Sequence, residues 1–544
     1  MRSKATVQSP FEAFLGSARR YGDRPFLREP AGAPVERVPA AASWSYAAAA
    51  AEISELQKGY AACGLEPGAR VALAAGRPTE VYLHFLALNG LATSLVPVDM
   101  SGSDAEITWL LRHSDSKLVV STPEQMDRLR RITHDIAGCQ PVTQFEVAAA
   151  AVSDVEPVAG DIRREAALLY TSGTTGKPKG CMLSNEYFLM MGEWYNGLAE
   201  RHALDSDDRL LTPLPPHHMN ALCVSFMAMI RCGGCVVQLD RFHPSTWWST
   251  VRSEGATIVH YLGIMPAILL SLPVCGQEDF GGQIKFGFGA GADPRHHGRF
   301  EQRFGFPLLE AWAMTETGAG AAMIADREPR HVGQRCIGRP QADVEYRIVD
   351  ETDRDVASGE PGELLVRRTG RHPRKGFFSG YYNDEDATRE AWRGGWFRTG
   401  DVVRAGHDGS VFFVDRRKNV IRRSGENISA VEVESTLLRH PDVANCAVTP
   451  VPDELRGDEV FAFIVPRPGS ATDRAAAQAI VEHCLEHLSY FKVPGYVSYV
   501  DSLPLTASQK VSRKEVRSSA SASLETAACF DLRRLKKRSE RKAG

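Results

Sequence analysis

The chain has 544 residues, of which 43% are hydrophobic and 24% are charged, and its formal net charge is −3. This length provides for roughly two to four domains with a large buried core, which excludes a disulfide-stabilised mini-protein and a wholly disordered chain. A charge so close to neutral argues against nucleic acid as the main partner, because general nucleic-acid binders are basic.

Helix and strand patterns alternate along the first third of the chain. Residues 45–63 are rich in helix-forming side chains, and Gly64 follows where a helix cap is expected. The elements predicted next are strand 70–75, helix 80–90, strand 93–97, helix 106–113 and strand 117–121. This alternation predicts an α/β layer built on a parallel sheet.

The same alternation resumes at residue 166. A predicted strand at 166–171 runs directly into a loop of Gly, Ser, Thr and Lys, and strand 235–239, helix 245–254 and strand 257–261 follow. From 344 to 413 the texture changes to short alternating runs separated by Gly, Pro and Asp. That texture predicts a small antiparallel β unit.

Residues 415–516 have the pattern of a separate small α+β domain. Helices are predicted at 430–439 and 474–487, and strands at 443–451 and 459–465. Short helices and strands of comparable number in one stretch favour a compact domain of its own.

The last residues differ again. Ser and Ala alternate at 518–523, and basic residues dominate 531–542, which predicts a solvated, disordered tail, with a contact to RNA, a membrane or a partner as the alternative. The predicted domains are an N-terminal domain at 1–414 with a β-rich part at about 341–414, a C-terminal domain at 415–517, and a tail at 518–544.

Cysteine usage and the start of the chain predict a location. The 11 cysteines lack framework spacing, which favours a reduced compartment. Residues 1–6 lead into a mixed polar stretch, and no apolar run approaches the ~18 residues of a membrane span. We therefore expect a cytoplasmic protein without an integral membrane segment, and we leave a homodimer open. Cys232 and Cys235 have ligand-like spacing, but without a second pair nearby zinc is not expected there.

Residues 170–180, YTSGTTGKPKG, give the strongest chemical signal. They combine three glycines, five hydroxyl side chains and two lysines directly after a predicted strand. Glycines let backbone N–H groups approach an anion, and the hydroxyls and lysines add donors and positive charge, so the loop is suited to a polyphosphate. It is not a Walker A loop, because Gly173 and Gly176 are closer in sequence than that motif requires. The alternative, an exposed linker, does not explain the strand context.

This loop resembles the phosphate loop of the adenylate-forming superfamily, which includes acyl-CoA synthetases, firefly-type luciferases and nonribosomal adenylation domains. Further segments resemble motifs of that family in the same order, and the resemblance covers roughly residues 10–516. They are PLPPHHMNA at 213–221, GFGAGA at 287–292, EAWAMTET at 310–317, GWFRTGD at 395–401, DRRKNVIRRSGEN at 415–427 and PLTASQKVSR at 504–513. Residues 260–266, HYLGIMP, and the DRR at 415–417 are similar to ligases of the crotonobetaine/carnitine–CoA type.

The resemblance implies an α/β fold. Its large N-terminal domain would hold two α/β subdomains plus a small β-barrel, followed by a smaller, mobile α+β C-terminal domain. It also implies an ATP-dependent carboxylic acid–CoA ligase, which forms an acyl-adenylate with release of pyrophosphate and then passes the acyl group to the thiol of coenzyme A. The implied cofactors are ATP, Mg²⁺ and coenzyme A, and the implied partner is a small-molecule carboxylate.

Two alternatives stay open beside this ligase. One is a stand-alone adenylating enzyme that loads a carrier protein or an amine. The other is a non-catalytic adenylate sensor, which is disfavoured because Lys510, Glu316 and Asp401 are all present.

The resemblance assigns the catalytic positions. Glu316 aligns with the Mg²⁺-linked glutamate, Thr315 with a ligand of the α-phosphate, and His218 with a histidine that borders the acyl pocket and the phosphates. Lys510 aligns with the catalytic lysine of the C-terminal domain, and Lys418 with the hinge about which that domain rotates.

The resemblance also assigns positions to the nucleotide and to coenzyme A. Asp401 would accept from the ribose hydroxyls, Arg416 would contact ribose or phosphate, and the segment at 424–426 would line the thiol tunnel. The full set is Thr171, Ser172, Gly173, Thr174, Thr175, Gly176, Lys177, Lys179, Gly289, Ala290, Gly291, Trp312, Asp401, Arg416, Ser424, Gly425 and Glu426.

The chain departs from the family pattern at several positions. His217 stands where an aromatic is usual, Trp312 replaces the common tyrosine and would itself pack on adenine, and Ala313 and Gln509 stand where glycines are usual. Several aromatic and histidine side chains fall near the expected acyl pocket, which favours a small or medium, aromatic or polar acid over a long fatty chain.

Overall fold

The computed structural model describes residues 7–30, 42–100, 102–143, 146–147, 155–171, 178–273, 279–416, 420–423, 426–453, 456–505, 511–524, 526 and 528–536. The α-helices are α1 Pro10–Tyr21, α2 Tyr46–Ala62, α3 Pro78–Gly90, α4 Asp104–Ser114, α5 Met126–Thr133, α6 Asn185–Asn196, α7 Phe226–Cys232, α8 Trp247–Ser253, α9 Ile264–Ser271, α10 Pro294–Phe304, α11 Glu385–Ala391, α12 Ala430–Leu437, α13 Arg474–His487 and α14 Arg513–Ser523. Within these described ranges, no helix combines the length and the apolar character that a bilayer crossing requires.

The strands follow the same chain order. They are β1 Pro25–Glu29, β2 Ala42–Ser45, β3 Arg70–Ala74, β4 Ser94–Pro97, β5 Leu118–Ser121, β6 Gln140–Thr143, β7 Glu165–Thr171, β8 Lys179–Ser184, β9 Arg209–Thr212, β10 Cys235–Gln238, β11 Ile258–Leu262, β12 Phe286–Ala290, β13 Leu308–Trp312, β14 Met323–Ile324, β15 Cys336–Gly338, β16 Val344–Val349, β17 Gly362–Arg368, β18 Gly380–Tyr381, β19 Phe397–Ala405, β20 Val411–Arg416, β21 Val420–Arg423, β22 Glu426–Ser429, β23 Val443–Asp453, β24 Gly457–Pro466, β25 Tyr496–Tyr499 and β26 Cys529–Asp531.

Capping side chains fix where several helices begin. The hydroxyl of Ser45 accepts from the backbone N–H of Ala48 at 3.1 Å, so α2 starts at the next residue. Beyond its end, Gly64 has a φ of +68°, a conformation that glycine adopts at little cost. In the same way the carboxylate of Asp473 accepts from the N–H of Ala476 at 2.9 Å and starts α13.

The chain forms two compact units, and the first contains two large sheets. This unit comprises Met1–Tyr346, Leu365–Arg398 and Gly409–Val411. One sheet has eight strands in the order β14-β13-β12-β11-β9-β10-β1-β2, and the other has seven in the order β18-β8-β7-β4-β3-β5-β6. In the first sheet the successive strands β13, β12, β11, β9, β10 and β1 are parallel to one another, and in the second sheet so are β7, β4, β3, β5 and β6. The predicted pair of α/β subdomains is confirmed.

A layer of buried helices connects these two sheets. Phe85 of α3 stacks on Phe188 of α6 with ring centroids 4.8 Å apart, and Tyr82 of α3 stacks on Phe226 of α7 at 4.4 Å. The Tyr82 hydroxyl also donates to the side chain of Gln238, in β10, at 2.7 Å. Helix α3 is buried along most of its length, which explains why its apolar residues are not confined to one face.

A five-stranded sheet, in the order β15-β20-β19-β17-β16, includes the strands at which the chain passes from one unit to the other. It corresponds to the small β unit predicted at about 341–414. The second unit comprises Arg347–Leu364, Thr399–Asp408 and Phe412–Gly544, so the two units are not divided by a single point in the sequence. The domain boundary at 414/415 therefore stays a prediction.

The rest of the second unit is an α+β domain. Its sheet has the order β22-β21-β24-β25-β26, with β23 paired to β24. One face of the sheet shares a buried core with α12 and α13, to which Val433 and Ile480 contribute. The other face packs against α14 through Val516 and Ala520. The predicted smaller α+β domain is confirmed.

The prediction of a disordered tail is wrong for the described residues 518–524, 526 and 528–536. Helix α14 continues to Ser523, and β26 pairs antiparallel with β25, with Phe530 opposite Val497. The fully buried ammonium of Lys536 pairs with Glu459, whose carboxylate also accepts from the Nε of Arg423 at 2.9 Å. Although this segment is basic, its apolar residues complete the core of the domain. The charge of Lys536 is compensated by Glu459, a buried acid from β24. Residues 537–544 lie outside the described part.

Candidate functional site

The carboxyl ends of parallel strands β9, β11, β12 and β13 lie at one edge of the eight-stranded sheet. This edge is where open α/β sheets bind ligands. The predicted residues Gly289 and Ala290 end β12, and Gly291 follows with a φ of +79°. A Cβ on Gly263 would come within 1.9 Å of the Gly291 carbonyl oxygen, so the two backbones approach too closely for side chains.

A buried carboxylate holds the loop after β12. Glu310, in β13, accepts hydrogen bonds from the backbone N–H groups of Gly291 at 2.9 Å and Ala292 at 3.1 Å, and from the Tyr261 hydroxyl. Burial raises the pKa of Glu310. The motif at 310–317 contains this residue, but the family resemblance assigns it no role; its signal in the sequence is a lone acid in an otherwise apolar strand.

The start of β13 is anchored by a second carboxylate. Glu301, in α10, accepts from Arg330 at 2.8 Å and from the backbone N–H of Leu308 at 2.8 Å. Burial raises the pKa of Glu301, but the hydrogen bonds, that of Arg330 foremost, outweigh burial and hold the pKa at about 2. Acidic side chains therefore fix both the loop after β12 and the start of β13.

The segment after β13 carries two predicted catalytic residues. Trp312 ends the strand and is buried, Thr315 is half-buried, and Glu316 is 8% exposed. The carbonyl oxygen of Glu316 accepts from the N–H of Phe378 at 2.9 Å. Its carboxylate accepts from the hydroxyl of Tyr381 at 3.0 Å. Glu316 is thus held at both its backbone and its side chain.

Tyr381 connects Glu316 to the base of the predicted phosphate loop. It lies on β18, which pairs with β8, and the Nζ atom of Lys179 lies 4.8 Å from the centre of its ring. Lys179 also lies 3.7 Å from the carboxylate of Asp384. Burial, and then the charge of Glu316, raise the pKa of Tyr381, which keeps its hydroxyl protonated as a donor. Sequence reasoning missed Tyr381, because no local pattern marks it.

The predicted loop itself is described only at its two ends. Thr171 and Lys179 pair with each other in the antiparallel ladder of β7 and β8, and the Oγ1 of Thr171 lies 4.0 Å from the Sγ of Cys181. The predicted residues between these ends lie outside the described residues. They are Ser172, Gly173, Thr174, Thr175, Gly176 and Lys177.

His218 lies in the loop after β9, at the same sheet edge. Its N–H donates to the carbonyl of Pro215 at 3.0 Å, and its ring centroid lies 4.4 Å from that of His217. Burial lowers the pKa of His217, while Asp99 acts in the opposite direction. The segment places imidazoles beside the ends of the parallel strands.

A buried polar network adjoins this segment. The two ring nitrogens of His260 contact the hydroxyl of Tyr195 at 2.9 Å, the side-chain oxygen of Asn220 at 2.9 Å and the hydroxyl of Ser225 at 3.0 Å. Burial lowers the pKa of His260 to about 3, so its imidazole is neutral. Asn220 and Ser225 begin and end a short π-helix, a feature that often marks functional sites.

In the second unit, two residues that are predicted to bind the nucleotide contact each other. Asp401, in β19, is fully buried, and its carboxylate lies 2.6 Å from the Nε of Arg416, which is 42% exposed. Next to Arg416, the carboxylate of Asp415 accepts from the Ser429 hydroxyl at 3.0 Å and from the N–H of Val431 at 3.2 Å. The residues before the predicted hinge are thereby tied to the start of α12.

The remaining predicted positions fall outside the described side chains. Lys418, Ser424, Gly425 and Lys510 are not among the described residues. Glu426 begins β22, where its backbone pairs with Arg423, and its side chain is not described. The roles given to these residues stay predictions.

The comparisons with known proteins agree on one family. The family described as AMP-binding enzyme matches residues 14–382, and the AMP-binding enzyme C-terminal domain matches residues 432–510. The first of these matches alone spans more than half of the chain.

Curated relatives are similar over nearly the whole chain. A sulfoacetate–CoA ligase from Cupriavidus necator is 32% identical over 91% of this chain and 95% of its own. A crotonobetaine/carnitine–CoA ligase from Proteus mirabilis is 28% identical over 87% of this chain and 93% of its own. Among solved structures, ATP-bound MatB from Rhodopseudomonas palustris matches with a TM-score of 0.82 and 24% identity, covering 94% of this chain and 99% of that one, which supports the fold.

Proposed function

The chain belongs to the AMP-binding enzyme family and is an ATP-dependent carboxylic acid–CoA ligase, and we propose which of its residues perform the two steps. A carboxylate is a poor electrophile because its leaving group would be oxide. Transfer of AMP to it creates a good leaving group, which the thiol of coenzyme A then displaces. The observation that carries the assignment is the contact of Tyr381 with both Glu316 and Lys179.

In the first step the substrate carboxylate attacks the α-phosphorus of ATP and pyrophosphate leaves. The nucleophile needs no general base, because a carboxylic acid is ionised near pH 7. Negative charge builds on the α-phosphate oxygens, and we assign its stabilisation to Thr315, Lys510 and the N–H groups of the loop at 172–177. Tyr381 orients Glu316 and, through its ring, Lys179.

Glu316 fits a Mg²⁺ ion. Its carboxylate accepts one hydrogen bond on Oε1, and Mg²⁺ is bound in proteins by one or two carboxylates together with phosphate oxygens. Bound there, the ion would neutralise charge on the ATP phosphates. Tyr381 orients this carboxylate through a neutral hydroxyl. The negative charge of Glu316 is therefore not neutralised by its hydrogen-bond donor and can attract a cation.

In the second step the thiol attacks the acyl-adenylate, and Lys510 must leave the pocket. We propose that the C-terminal domain rotates about Lys418, as the family resemblance implies, so that residues 424–426 line the path of the thiol. The hydrogen bonds from Ser429 and Val431 to Asp415 join residues on the two sides of Lys418, so a rotation about Lys418 has to break them.

For the substrate we propose a small, polar carboxylic acid. The relatives are named for sulfoacetate and for crotonobetaine or carnitine, which are small and charged. The His260 network beside the His218 segment is polar and neutral, and this supports a polar acid over a long fatty chain. A cytoplasmic location and a homodimer stay predictions.

The acceptor is tested by pyrophosphate and AMP release across a panel of acids, with and without coenzyme A. A CoA ligase gives acyl-CoA and multiple turnovers only when coenzyme A is present. An enzyme that loads a carrier protein or an amine would instead turn over with that acceptor and ignore coenzyme A.

The role of Lys510 is tested on the two half-reactions separately. Lys510→Ala should lower ATP–pyrophosphate exchange by about 100-fold or more, since it removes a charge that stabilises the transition state, and should leave acyl transfer from supplied acyl-AMP near the wild-type rate. The matched control is Lys514→Ala, an exposed lysine on α14. Equal loss in both half-reactions contradicts the assignment of Lys510.

A further inference from the structure

The last turns of α13 present three metal-ligating side chains outside the site described above. His483, Glu486 and His487 follow each other at positions i, i+3 and i+4, which share one face of a helix. One ligand atom from each side chain lies within 4.8 Å of the others. No step of the proposed ligase reaction uses these residues.

The Nε2 atom of neither histidine makes a hydrogen bond within the described part of the chain. The Nδ1–H of His487 donates to the carbonyl of His483 at 2.9 Å. The Nε2 of His483 is buried without a hydrogen-bond partner among the described residues. A neutral imidazole that donates through Nδ1 carries its lone pair on Nε2.

His487 has the arrangement of a metal-binding histidine, and His483 presents a buried nitrogen without a partner among the described residues. Metal-ligating histidines typically donate their other ring N–H to a carbonyl or carboxylate, which fixes the tautomer and aims the ligand nitrogen. A buried polar atom without a partner costs free energy, and a metal ion would satisfy it. Two imidazoles and a carboxylate are a common zinc donor set with an open fourth position.

We propose that His483, His487 and Glu486 bind a divalent transition-metal ion of the zinc class. The ligands are the Nε2 atoms of the two histidines and the carboxylate of Glu486. Imidazole ligands favour Zn²⁺, Ni²⁺ or Cu²⁺, whereas Mg²⁺ prefers oxygen ligands, so this site differs in chemistry from Glu316. Binding would cross-link consecutive turns at the end of α13.

A third histidine adjoins the cluster but is not a ligand. His440 packs edge-on against His483, with ring centroids 5.4 Å apart and an interplanar angle of 81°. Its Nδ1 accepts from the N–H of Asp442 at 3.2 Å, so its Nε2 carries the proton and has no lone pair to offer. The neighbouring histidines His440 and His483 therefore differ in role.

The test is calorimetric titration of the full-length chain, without a polyhistidine tag, with Zn²⁺ in excess Mg²⁺. We expect one ion that Mg²⁺ does not displace, and at least about a tenfold loss of affinity in His483→Ala, His487→Ala and Glu486→Gln, since even outer-shell changes cost about 10-fold to 100-fold. The matched control is Glu482→Gln, an exposed acid on the same helix that accepts from Gln478. It should bind as the wild type does.

Two further measurements distinguish the loss of a metal ligand from a general loss of folding. Each variant should show the wild-type unfolding midpoint without metal and the wild-type rate of ATP–pyrophosphate exchange. Because the chain also has cysteines, the decisive variant is the double replacement of His483 and His487, in which Zn²⁺ should no longer raise the unfolding midpoint. The proposal is overturned if that variant binds like the wild type, if Glu482→Gln is as weak as Glu486→Gln, or if the wild type does not bind Zn²⁺.

Discussion

Replacing Tyr381 with phenylalanine removes one hydroxyl at the centre of the candidate site. The hydroxyl donates to the carboxylate of Glu316 at 3.0 Å, and Glu316 is only 8% exposed, so water cannot readily replace it. The aromatic ring, which lies under Lys179, is kept. The change therefore tests the orientation of Glu316 alone.

The expected size follows from the kind of bond. A hydrogen bond to a charged group contributes about 1.5–3 kcal/mol. If that contribution is lost from the adenylation transition state, kcat/KM falls by about 10-fold to 150-fold, at about 1.4 kcal/mol for each factor of ten. A loosely held Glu316 should also raise the Mg²⁺ concentration needed for half-maximal rate.

The assay is ATP–pyrophosphate exchange as a function of Mg²⁺ concentration. The control is Tyr382→Phe, the adjacent residue, whose ring contacts Arg70 at 3.7 Å instead of Glu316 or Lys179. It should leave the Mg²⁺ dependence unchanged. If Tyr381→Phe matches the wild type in both rate and Mg²⁺ dependence, the orienting role of Tyr381 is refuted.

Three further predictions concern the hinge, the C-terminal domain and α10. Lys418→Pro should spare pyrophosphate exchange and slow acyl-CoA formation, because the ring restricts the backbone rotation, and parallel loss of both would reject the hinge. Glu459→Gln leaves the buried cations Arg423 and Lys536 without their acid and should destabilise the C-terminal domain by about 3–5 kcal/mol. Hydrogen exchange of the amides in β24 under increasing urea measures this loss, and unchanged protection would contradict it. Glu301 has its pKa lowered from 4.5 to about 2, so its contribution to stability is present above pH 4.5 and is lost as the pH falls toward 2. Glu301→Gln should therefore flatten the acid-unfolding profile in that window, and a profile like the wild type's would exclude Glu301 as its source.

Local patterns were enough to predict most of the regular structure. Helix α13 has the bounds that the sequence predicts, 474–487, because Asp473 caps its start and its apolar residues recur on one face. The parallel sheets followed from alternating strands and helices. Capping, periodicity and turn residues are properties of neighbouring residues, and neighbouring residues are what a single sequence displays.

The tail shows why charge alone misleads. Its lysines and arginines favoured a solvated segment, but Lys536 is buried because Glu459, which is remote in sequence, lies fully buried opposite it. A buried cation is tolerated only with such a partner. The apolar residues between the charges, Phe530 and Leu532, were the signal that a strand could form.

The candidate site depends on the same kind of remote pairing. Motifs identified Lys179 and Glu316 by residue type, yet what joins them is Tyr381, which is 65 positions from Glu316 in sequence and reaches the site through the pairing of β18 with β8. Residue types in a loop can indicate which ligand is bound. Which neutral donor orients the key carboxylate depends on the register of two strands, and only the folded chain sets that register.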